Sequence, residues 1–217
     1  MKLLISIVIT LTLFANEPET PRTTYFTNLN QKSTSILFDM RYASAENFIG
    51  TPINGYTKPL CLLTNQSSVA LLKIQKQLQK KGLRLRVFDC YRPQRAVNHF
   101  VRWAKDLNDT KMKKVYYPHV DKKILFKEGY IAAKSGHSRG STIDLSIDGL
   151  DMGTPFDFFD PRSHTMSNAV TAKQHKNRMY LKSIMEENGF KNYAAEWWHY
   201  TLRDEPFKDK YFDFVVQ

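Results

Sequence analysis

Apolar side chains recur along the chain with two different spacings, which predict helices and strands in mixed order. Residues 65–81 carry a helical stripe that ends at Gly82; the stripe comprises Val69, Leu71, Leu72, Ile74 and Leu78. Residues 83–90 instead alternate, with Leu83, Leu85 and Val87 set against Arg84, Arg86 and Phe88. This period of two predicts a half-buried strand.

Four more elements are predicted further along the chain. Pro93 suits the first turn of a helix, and Gly189 suits the end of another. The elements are a helix from 94 to about 107, a short strand over "STIDLSI", a helix over 174–188 and a final strand over "EWWHYTLR". Because helices and strands are mixed without regular alternation, we expect an α+β fold.

The N-terminus begins with one lysine and an apolar run from Leu3 to Ala15. This run is shorter than the roughly 20 residues that cross a bilayer, and its pattern is typical of a secretory signal. Leu13 lies where a small residue is preferred before cleavage, so an uncleaved anchor is the alternative. We predict a signal peptide over 1–15, an N-terminal extension over 16–37 and a single domain over 38–217.

Composition places the chain among globular proteins, with 42% hydrophobic and 13% aromatic residues in 217. The net charge of +11 raises the question of nucleic-acid binding, but the basic residues are scattered and form no recognisable nucleic-acid motif. A solvated basic surface is the interpretation we adopt. After export, such a surface favours association with anionic polymers of the cell envelope.

The chain contains two cysteines, Cys61 and Cys90. In a reducing compartment they would be two buried thiols. After export they can form one disulfide around a loop of about 28 residues, a stabilisation of roughly 3 kcal/mol in the loop-entropy model. We predict the disulfide.

The stretch "SGHSRGSTIDLS" places His137 and Asp144 seven positions apart. Seven is an odd spacing, which points the two side chains in opposite directions on one strand, and Gly140 makes a helix unfavourable. A loop that bends and enters a strand brings both side chains to one point. By itself the pair is compatible with a metal site or with a hydrogen-bonded structural pair.

Two other stretches carry candidate chemistry. In "EWWHY", His199 can join His137 and Asp144 as a third ligand, which leaves an open position as in catalytic zinc sites. Glu196 is then the general base; the alternative is a surface acid beside a packed histidine. In "DCYRP", Arg92 lies where a strand gives way to a turn, so its guanidinium can reach a cleft and stabilise an oxyanion or can simply pair with Asp89.

Together these stretches resemble the D-alanyl-D-alanine dipeptidase family, the VanX-type zinc peptidases of peptidase family M15. The resemblance runs in order from about Phe38 to the C-terminus. It rests on "DMRYASAENFIGTPINGY", "DCYRP", "SGHSRGSTIDL", "MGTPFDFFDPRSH", "EWWHY" and "LRDEPFKDKYFDF". It implies a small mixed or antiparallel sheet flanked by helices, as in D,D-carboxypeptidases and the signalling domain of hedgehog proteins.

The resemblance also implies roles for individual residues. One zinc ion per chain is expected at His137, Asp144 and His199, with Glu196 as the catalytic base and Arg92 stabilising the tetrahedral intermediate. The free amino group of the dipeptide is expected at Asp157, helped by Tyr42. Ser135 matches a serine near the carboxylate end of the substrate.

The function implied is zinc-dependent hydrolysis of D-Ala-D-Ala, or a closely related dipeptide, to free amino acids. Because we predict an export signal at the start of the chain, we expect the protein in the periplasm or cell envelope of a bacterium, in cell-wall peptide turnover rather than antibiotic resistance. The expected partner is a small dipeptide, without nucleic acid and without stable membrane insertion after signal removal. The segment 144–152 is shorter than is usual in the family, which leaves the dipeptide preference open.

Two alternatives remain at this point. The same zinc chemistry serves a D,D- or L,D-carboxypeptidase that trims peptidoglycan stem peptides, although a carboxylate at Asp157 that captures a free amino terminus favours a dipeptidase. The other alternative is a non-catalytic, metal-containing binding protein of the envelope. Glu196 and Arg92 argue against it, since neither is needed to bind zinc.

Overall fold

The computed structural model describes residues 21–217, so the predicted signal peptide lies outside the described residues. The helices are α1 (Pro21–Tyr25), α2 (Asn65–Gln79), α3 (Gln94–Lys105), α4 (Lys113–Tyr116) and α5 (Ala172–Glu187). The strands are β1 (Phe26–Asn28), β2 (Leu37–Phe38), β3 (Leu62–Thr64), β4 (Leu85–Asp89), β5 (Thr142–Ile147), β6 (Phe190–Asn192) and β7 (His199–Leu202).

The main sheet has five strands in the order β2-β4-β5-β7-β6, and a separate ribbon pairs β1 with β3. Strand β2 runs parallel to β4, whereas the β4–β5, β5–β7 and β6–β7 pairs are antiparallel. The expected α+β fold with a small mixed sheet and flanking helices is therefore confirmed.

The predicted helices lie close to the observed ones. Helix α5 begins two residues before the predicted start, because Thr171 forms a capping box in which its hydroxyl accepts the Gln174 backbone N–H and the Gln174 side chain accepts that of Thr171. In α2 the predicted apolar stripe is wrong at one position, since Val69 is 71% exposed. Its neighbours Leu71, Ile74 and Leu78 are fully buried and carry the packing.

The predicted final strand is wrong at its start. Only His199–Leu202 is extended. The residues that precede this strand form a turn. In it the Glu196 backbone N–H donates to the Tyr193 carbonyl, and the His199 backbone N–H donates to the Glu196 carbonyl. The turn frees Glu196 from the sheet ladder and leaves its side chain beside the first residue of β7.

The core is unusually rich in aromatic rings. Tyr42, Phe48 and Phe100 are nearly inaccessible and contact one another with ring centroids 4.9–6.1 Å apart. Such contacts add to the free energy of burial.

The predicted disulfide between Cys61 and Cys90 is present. It joins the residue before β3 to the residue after β4, and both cysteines are fully buried. The ribbon is thereby tied to the end of the central strand. Over residues 21–217, the helices are too short or too polar to cross a bilayer.

Candidate metal centre

Three adjacent strands bring charged residues to one end of the main sheet. In the β4–β5 pair Asp89 lies opposite Asp144, and in the β5–β7 pair Asp144 lies opposite His199. A register shift between Val87 and Asp89 interrupts the β4–β5 ladder at this point, as bulges often do beside functional sites. The sheet register therefore fixes how closely these side chains approach.

His137 reaches the same point from the loop before β5. It lies on a 3₁₀ turn over Gly136–Arg139, with Ser135 as its N-cap and Gly140 in the left-handed conformation at φ 83°. A Cβ on Gly140 would lie only 2.2 Å from the ring of Phe26. The predicted bend is thus a single tight turn that only glycine can close.

The donor atoms of His137, Asp144 and His199 converge. His137 Nε2 lies 3.2 Å from Asp144 Oδ2, His199 Nδ1 lies 3.0 Å from Asp144 Oδ1, and the two ring nitrogens are 3.3 Å apart. Two donors bound about 2.0–2.1 Å from a tetrahedral zinc ion lie roughly 3.3 Å from each other. The three separations therefore suit one small cation.

A hydrogen bond at Nδ1 fixes the orientation and the tautomer of the His137 ring. His137 Nδ1 lies 2.6 Å from the Cys90 carbonyl oxygen, an arrangement that requires a proton on Nδ1 and leaves the Nε2 lone pair facing Asp144 and His199. Burial lowers the pKa of His137 below its usual value, which favours the neutral ring that a metal requires. Such a carbonyl behind a ligating histidine is a common outer contact of metal sites.

Asp144 is the anionic member of the group. Burial alone would raise its pKa, but the neighbouring imidazoles of His137 and His199 outweigh burial and hold the pKa of Asp144 well below its usual range. Its Oδ1 atom is buried without a well-formed hydrogen bond. A buried carboxylate whose two oxygens each face one imidazole nitrogen fits a bound divalent cation, and the N₂O donor set suits zinc.

Glu196 lies beside the donors without joining them. One of its carboxylate oxygens is 3.4 Å from His199 Nδ1, and its side chain remains 27% exposed. Burial raises the pKa of Glu196, and the nearby His199 partly offsets that rise. The carboxylate borders both the donor group and the open cleft, as a base acting on a bound water must.

Arg92 is held on two sides. Its Nε donates to Asp89 Oδ2 at 2.9 Å and its Nη2 lies 3.4 Å from Asp144 Oδ2. The guanidinium also lies over the rings of Tyr42 and Phe100 at 4.9 and 5.1 Å. The pairing with Asp89 that the sequence left as an alternative thus occurs together with the approach to the cleft.

Asp89 itself was not predicted as a site residue. It is fully buried, accepts a hydrogen bond from the Tyr56 hydroxyl at 2.7 Å, and lies 3.4 Å from His137 Nδ1. It therefore supports both Arg92 and His137. The available signal was its place in "DCYRP", where a strand-end acid three residues before an arginine suggests a shared role.

A second carboxylate lies in the same cleft. Asp157 is 6% exposed, and both of its oxygens accept from the Tyr42 hydroxyl, at 2.9 and 3.2 Å. Burial, together with the negative charge of Asp144, raises the pKa of Asp157 well above its usual range. Among residues 21–217 it has no cationic partner, so a ligand ammonium group would satisfy it.

The cleft between these groups has a volume of about 250 Å³. Ser135 lies at its wall and accepts the backbone N–H of His137 at 3.3 Å. The predicted site residues all border the cleft except His137, which lies beneath it; those on the wall are Tyr42, Arg92, Ser135, Asp144, Asp157, Glu196 and His199. In the described part of the chain, His137, Asp144 and His199 form the only group of three potential metal ligands.

Known proteins resemble this chain over most of its length. A family model described as D-Ala-D-Ala dipeptidase, peptidase M15, matches residues 22–217. A D-alanyl-D-alanine dipeptidase of Enterococcus faecium is 42% identical over 198 residues, which is 88% of this chain and 98% of the relative. One from Streptomyces coelicolor is 40% identical over 197 residues, with the same coverage.

A solved structure is also similar. It is a mutant of a vancomycin-resistance D,D-pentapeptidase in complex with Zn(II), 14% identical, with a TM-score of 0.41. The match covers 65% of this chain and 73% of that one.

Proposed function

Because the chain belongs to the D-Ala-D-Ala dipeptidase family of M15 peptidases, we propose that it hydrolyses D-Ala-D-Ala, or a closely related dipeptide, to free amino acids. It is a zinc hydrolase by family. The observation that carries the proposal is the convergence of three donors beside Glu196, in a cleft that also contains an unpaired carboxylate.

His137 through Nε2, His199 through Nδ1 and the Asp144 carboxylate would hold one zinc ion. When bound, zinc lowers the pKa of a water molecule to about 7 and polarises a carbonyl group. The chain keeps the site ready for the ion, since the Cys90 carbonyl and Asp89 orient the His137 ring.

Glu196 is proposed as the general base. Its carboxylate accepts the proton of the attacking water and later delivers a proton to the departing amino nitrogen, a role that contributes roughly 10²–10⁴-fold to rate in other enzymes. Arg92 is proposed to stabilise the oxyanion that forms on the former peptide carbonyl. The hydrogen bond to Asp89 and the rings of Tyr42 and Phe100 keep its guanidinium in position before substrate arrives.

Asp157 and Tyr42 are proposed to bind the ammonium group of the dipeptide, and Ser135 its carboxylate end. A buried carboxylate hydrogen-bonded only to a tyrosine hydroxyl is suited to a free amino terminus. It opposes the carboxypeptidase alternative, because an acylated stem peptide brings a neutral amide to this position and leaves Asp157 without a cation.

We propose that the protein is exported and acts in the cell envelope on products of wall turnover. The disulfide Cys61–Cys90 supports this location, because disulfides persist in oxidising compartments. The net charge of +11 is compatible with a polyanionic envelope. Fractionation of cells that express the full chain, with N-terminal sequencing of the product, tests the proposal; a cytoplasmic chain that keeps residues 1–15 would contradict it.

One assay tests the activity. The purified chain is incubated with D-Ala-D-Ala, L-Ala-D-Ala and a stem pentapeptide, each with and without a zinc chelator, and zinc is then restored. We expect release of alanine from dipeptides alone, loss with chelator and recovery with zinc. Release of the terminal D-alanine from the pentapeptide would instead select the carboxypeptidase.

A further inference from the structure

A fully buried arginine lies outside the catalytic cleft and contacts no substrate-binding group. Arg178 projects from the middle of α5 and is 0% exposed. Its guanidinium donates to three backbone carbonyl oxygens, those of Met152 at 2.6 Å, Arg162 at 2.8 Å and His164 at 2.8 Å. No carboxylate between residues 21 and 217 forms an ion pair with it.

These three carbonyls belong to the two ends of one loop. We name residues 152–164 the Asp157 loop, since Asp157 lies near its middle. Arg178 donates hydrogen bonds to the Met152 carbonyl at the start of the loop and to the Arg162 and His164 carbonyls at its end. A planar guanidinium with a fixed fork of donors is well suited to hold two chain segments at a set distance.

Side chains inside the Asp157 loop close it further. The hydroxyls of Thr154 and Ser163 are 3.0 Å apart, and Ser163 Oγ also donates to the carbonyl of Phe158, the residue after Asp157, at 2.7 Å. Thr154 Oγ1 in turn accepts from Trp197 Nε1 at 2.9 Å. The loop is therefore connected to the segment that carries Glu196.

Asp157 has an unfavourable backbone conformation, with φ at 60°. The left-handed region is uncommon for residues other than glycine and persists only where the surroundings impose it. Without the contacts at its ends and at Ser163, the loop would have little reason to keep this backbone or to hold the carboxylate beneath the Tyr42 hydroxyl.

We propose that Arg178 is a positioning residue for amino-group recognition: by binding both ends of the Asp157 loop it fixes the Asp157 carboxylate where the free amino terminus of a dipeptide is bound. This inference rests on the proposed function and adds a specificity determinant to it. Arg178 itself touches neither the substrate nor the metal ligands.

The experiment compares Arg178→Met and Arg178→Lys with wild type. Each full chain is assayed for kcat and KM on D-Ala-D-Ala, and for the inhibition constant of propionyl-D-alanine, in which a hydrogen atom replaces the amino group of D-Ala-D-Ala. We expect Arg178→Met to raise KM roughly 10–100-fold, because a misplaced Asp157 carboxylate no longer forms its charged hydrogen bond with the ammonium group, with a smaller effect on kcat. The inhibition constant should stay within about twofold, and Arg178→Lys should recover part of the loss.

Two more variants keep the test informative if Arg178→Met does not fold. Ser163→Ala removes the bond to the Phe158 carbonyl and should raise KM in the same selective way. Arg162→Gln removes a positive charge from the same loop, where Arg162 pairs through its side chain with Asp160, and should leave both constants near wild type.

The outcomes separate the two proposals. If KM and the inhibition constant rise together, or neither changes, Arg178 has no selective role in amino-group recognition and the inference is wrong. If wild type fails to cleave D-Ala-D-Ala in the presence of zinc, the proposed function itself is wrong.

Discussion

The cleft contains two buried carboxylates whose surroundings differ in kind. At one end, the imidazoles of His137 and His199 outweigh the effect of burial and hold the pKa of Asp144 well below its usual range. At the other end, burial raises the pKa of Asp157, and the Tyr42 hydroxyl supplies its hydrogen bonds. We call these the metal end and the amino end.

The difference supports a separate proposed role for each end. The metal end presents two nitrogen donors and one oxygen at mutual distances of 3.0–3.3 Å, a set that one divalent cation would bind. The amino end offers one carboxylate, which forms no ion pair within residues 21–217, and this is why we propose that the ammonium group of the substrate supplies the positive charge. Changes at the metal end should therefore abolish the chemistry, whereas changes at the amino end should mainly weaken binding.

The largest effect is expected from His137→Ala. Removing one of three donors should abolish both zinc binding and turnover, because two ligands hold the ion far more weakly than three. Metal analysis of the purified variant, together with the D-Ala-D-Ala assay, measures both quantities. His119→Ala, at an exposed loop position, is the matched control, and a His137→Ala variant that retains a full equivalent of zinc would contradict the assignment.

Glu196→Ala should separate metal binding from catalysis. The variant should keep one zinc per chain, since Glu196 is not among the converging donors, while kcat falls roughly 10²–10⁴-fold through loss of general-base catalysis. A rate near that of wild type would remove Glu196 from this role.

At the amino end, Asp157→Asn should act chiefly on KM. Leaving the substrate ammonium without its carboxylate costs about 2 kcal/mol or more, roughly a thirtyfold rise in KM, with unchanged zinc content. Steady-state kinetics on D-Ala-D-Ala measures the change. A thirtyfold fall in kcat with constant KM would contradict the assignment of substrate binding to the amino end and of catalysis to the metal end.

Without substrate, Asp157→Asn should be more stable than wild type, and the difference in stability should grow as pH rises. An aspartate whose pKa is raised in the folded state lowers the free energy of unfolding once the pH exceeds its pKa in the unfolded chain, about 3.9. This loss of stability grows with pH until the pH reaches the pKa of the folded state. The neutral amide avoids that loss. Melting temperatures should therefore favour Asp157→Asn more strongly at pH 8 than at pH 5; a constant difference would contradict the direction of the pKa shift.

The smallest effect is expected from Tyr42→Phe. This change removes the hydroxyl that donates to Asp157 and keeps the ring against Phe48 and Phe100. Loss of one hydrogen bond of about 1 kcal/mol predicts roughly a fivefold rise in KM. A change in zinc content on this substitution would show that the two ends are coupled.

Local patterns in the sequence predicted the three long helices and three strands of the main sheet, but not the short elements α1, α4, β1, β2, β3 and β6. Periodicity located α2 and β4 within a few residues, and the helix-terminal residues Pro93 and Gly189 helped to locate α3 and α5. The short stretch "STIDLSI" located β5, which is buried along its whole length. Periodicity failed at Val69 and before His199. In the first case tertiary packing leaves a helical apolar residue exposed, and in the second backbone hydrogen bonds form a turn within an aromatic run that resembles a strand.

The candidate site was harder to predict from pattern alone. Spacing left the pair His137 and Asp144 open between a metal site and a structural pair, because convergence depends on sheet register and on the turn at Gly140. The family resemblance supplied the roles, which remain predictions for these residues. Asp89 and Arg178 were missed, since a strand-end acid and a helical arginine are usually exposed, and only the folded chain shows both to be buried.

The most direct test of the metal end is a zinc titration. The full chain is stripped with chelator, zinc is added in known amounts, and turnover of D-Ala-D-Ala is followed. We predict that turnover is absent in the stripped chain and rises linearly to a plateau at one zinc per chain. Full activity in the stripped chain, or a plateau unrelated to bound zinc, would contradict the proposal that His137, Asp144 and His199 hold the catalytic ion.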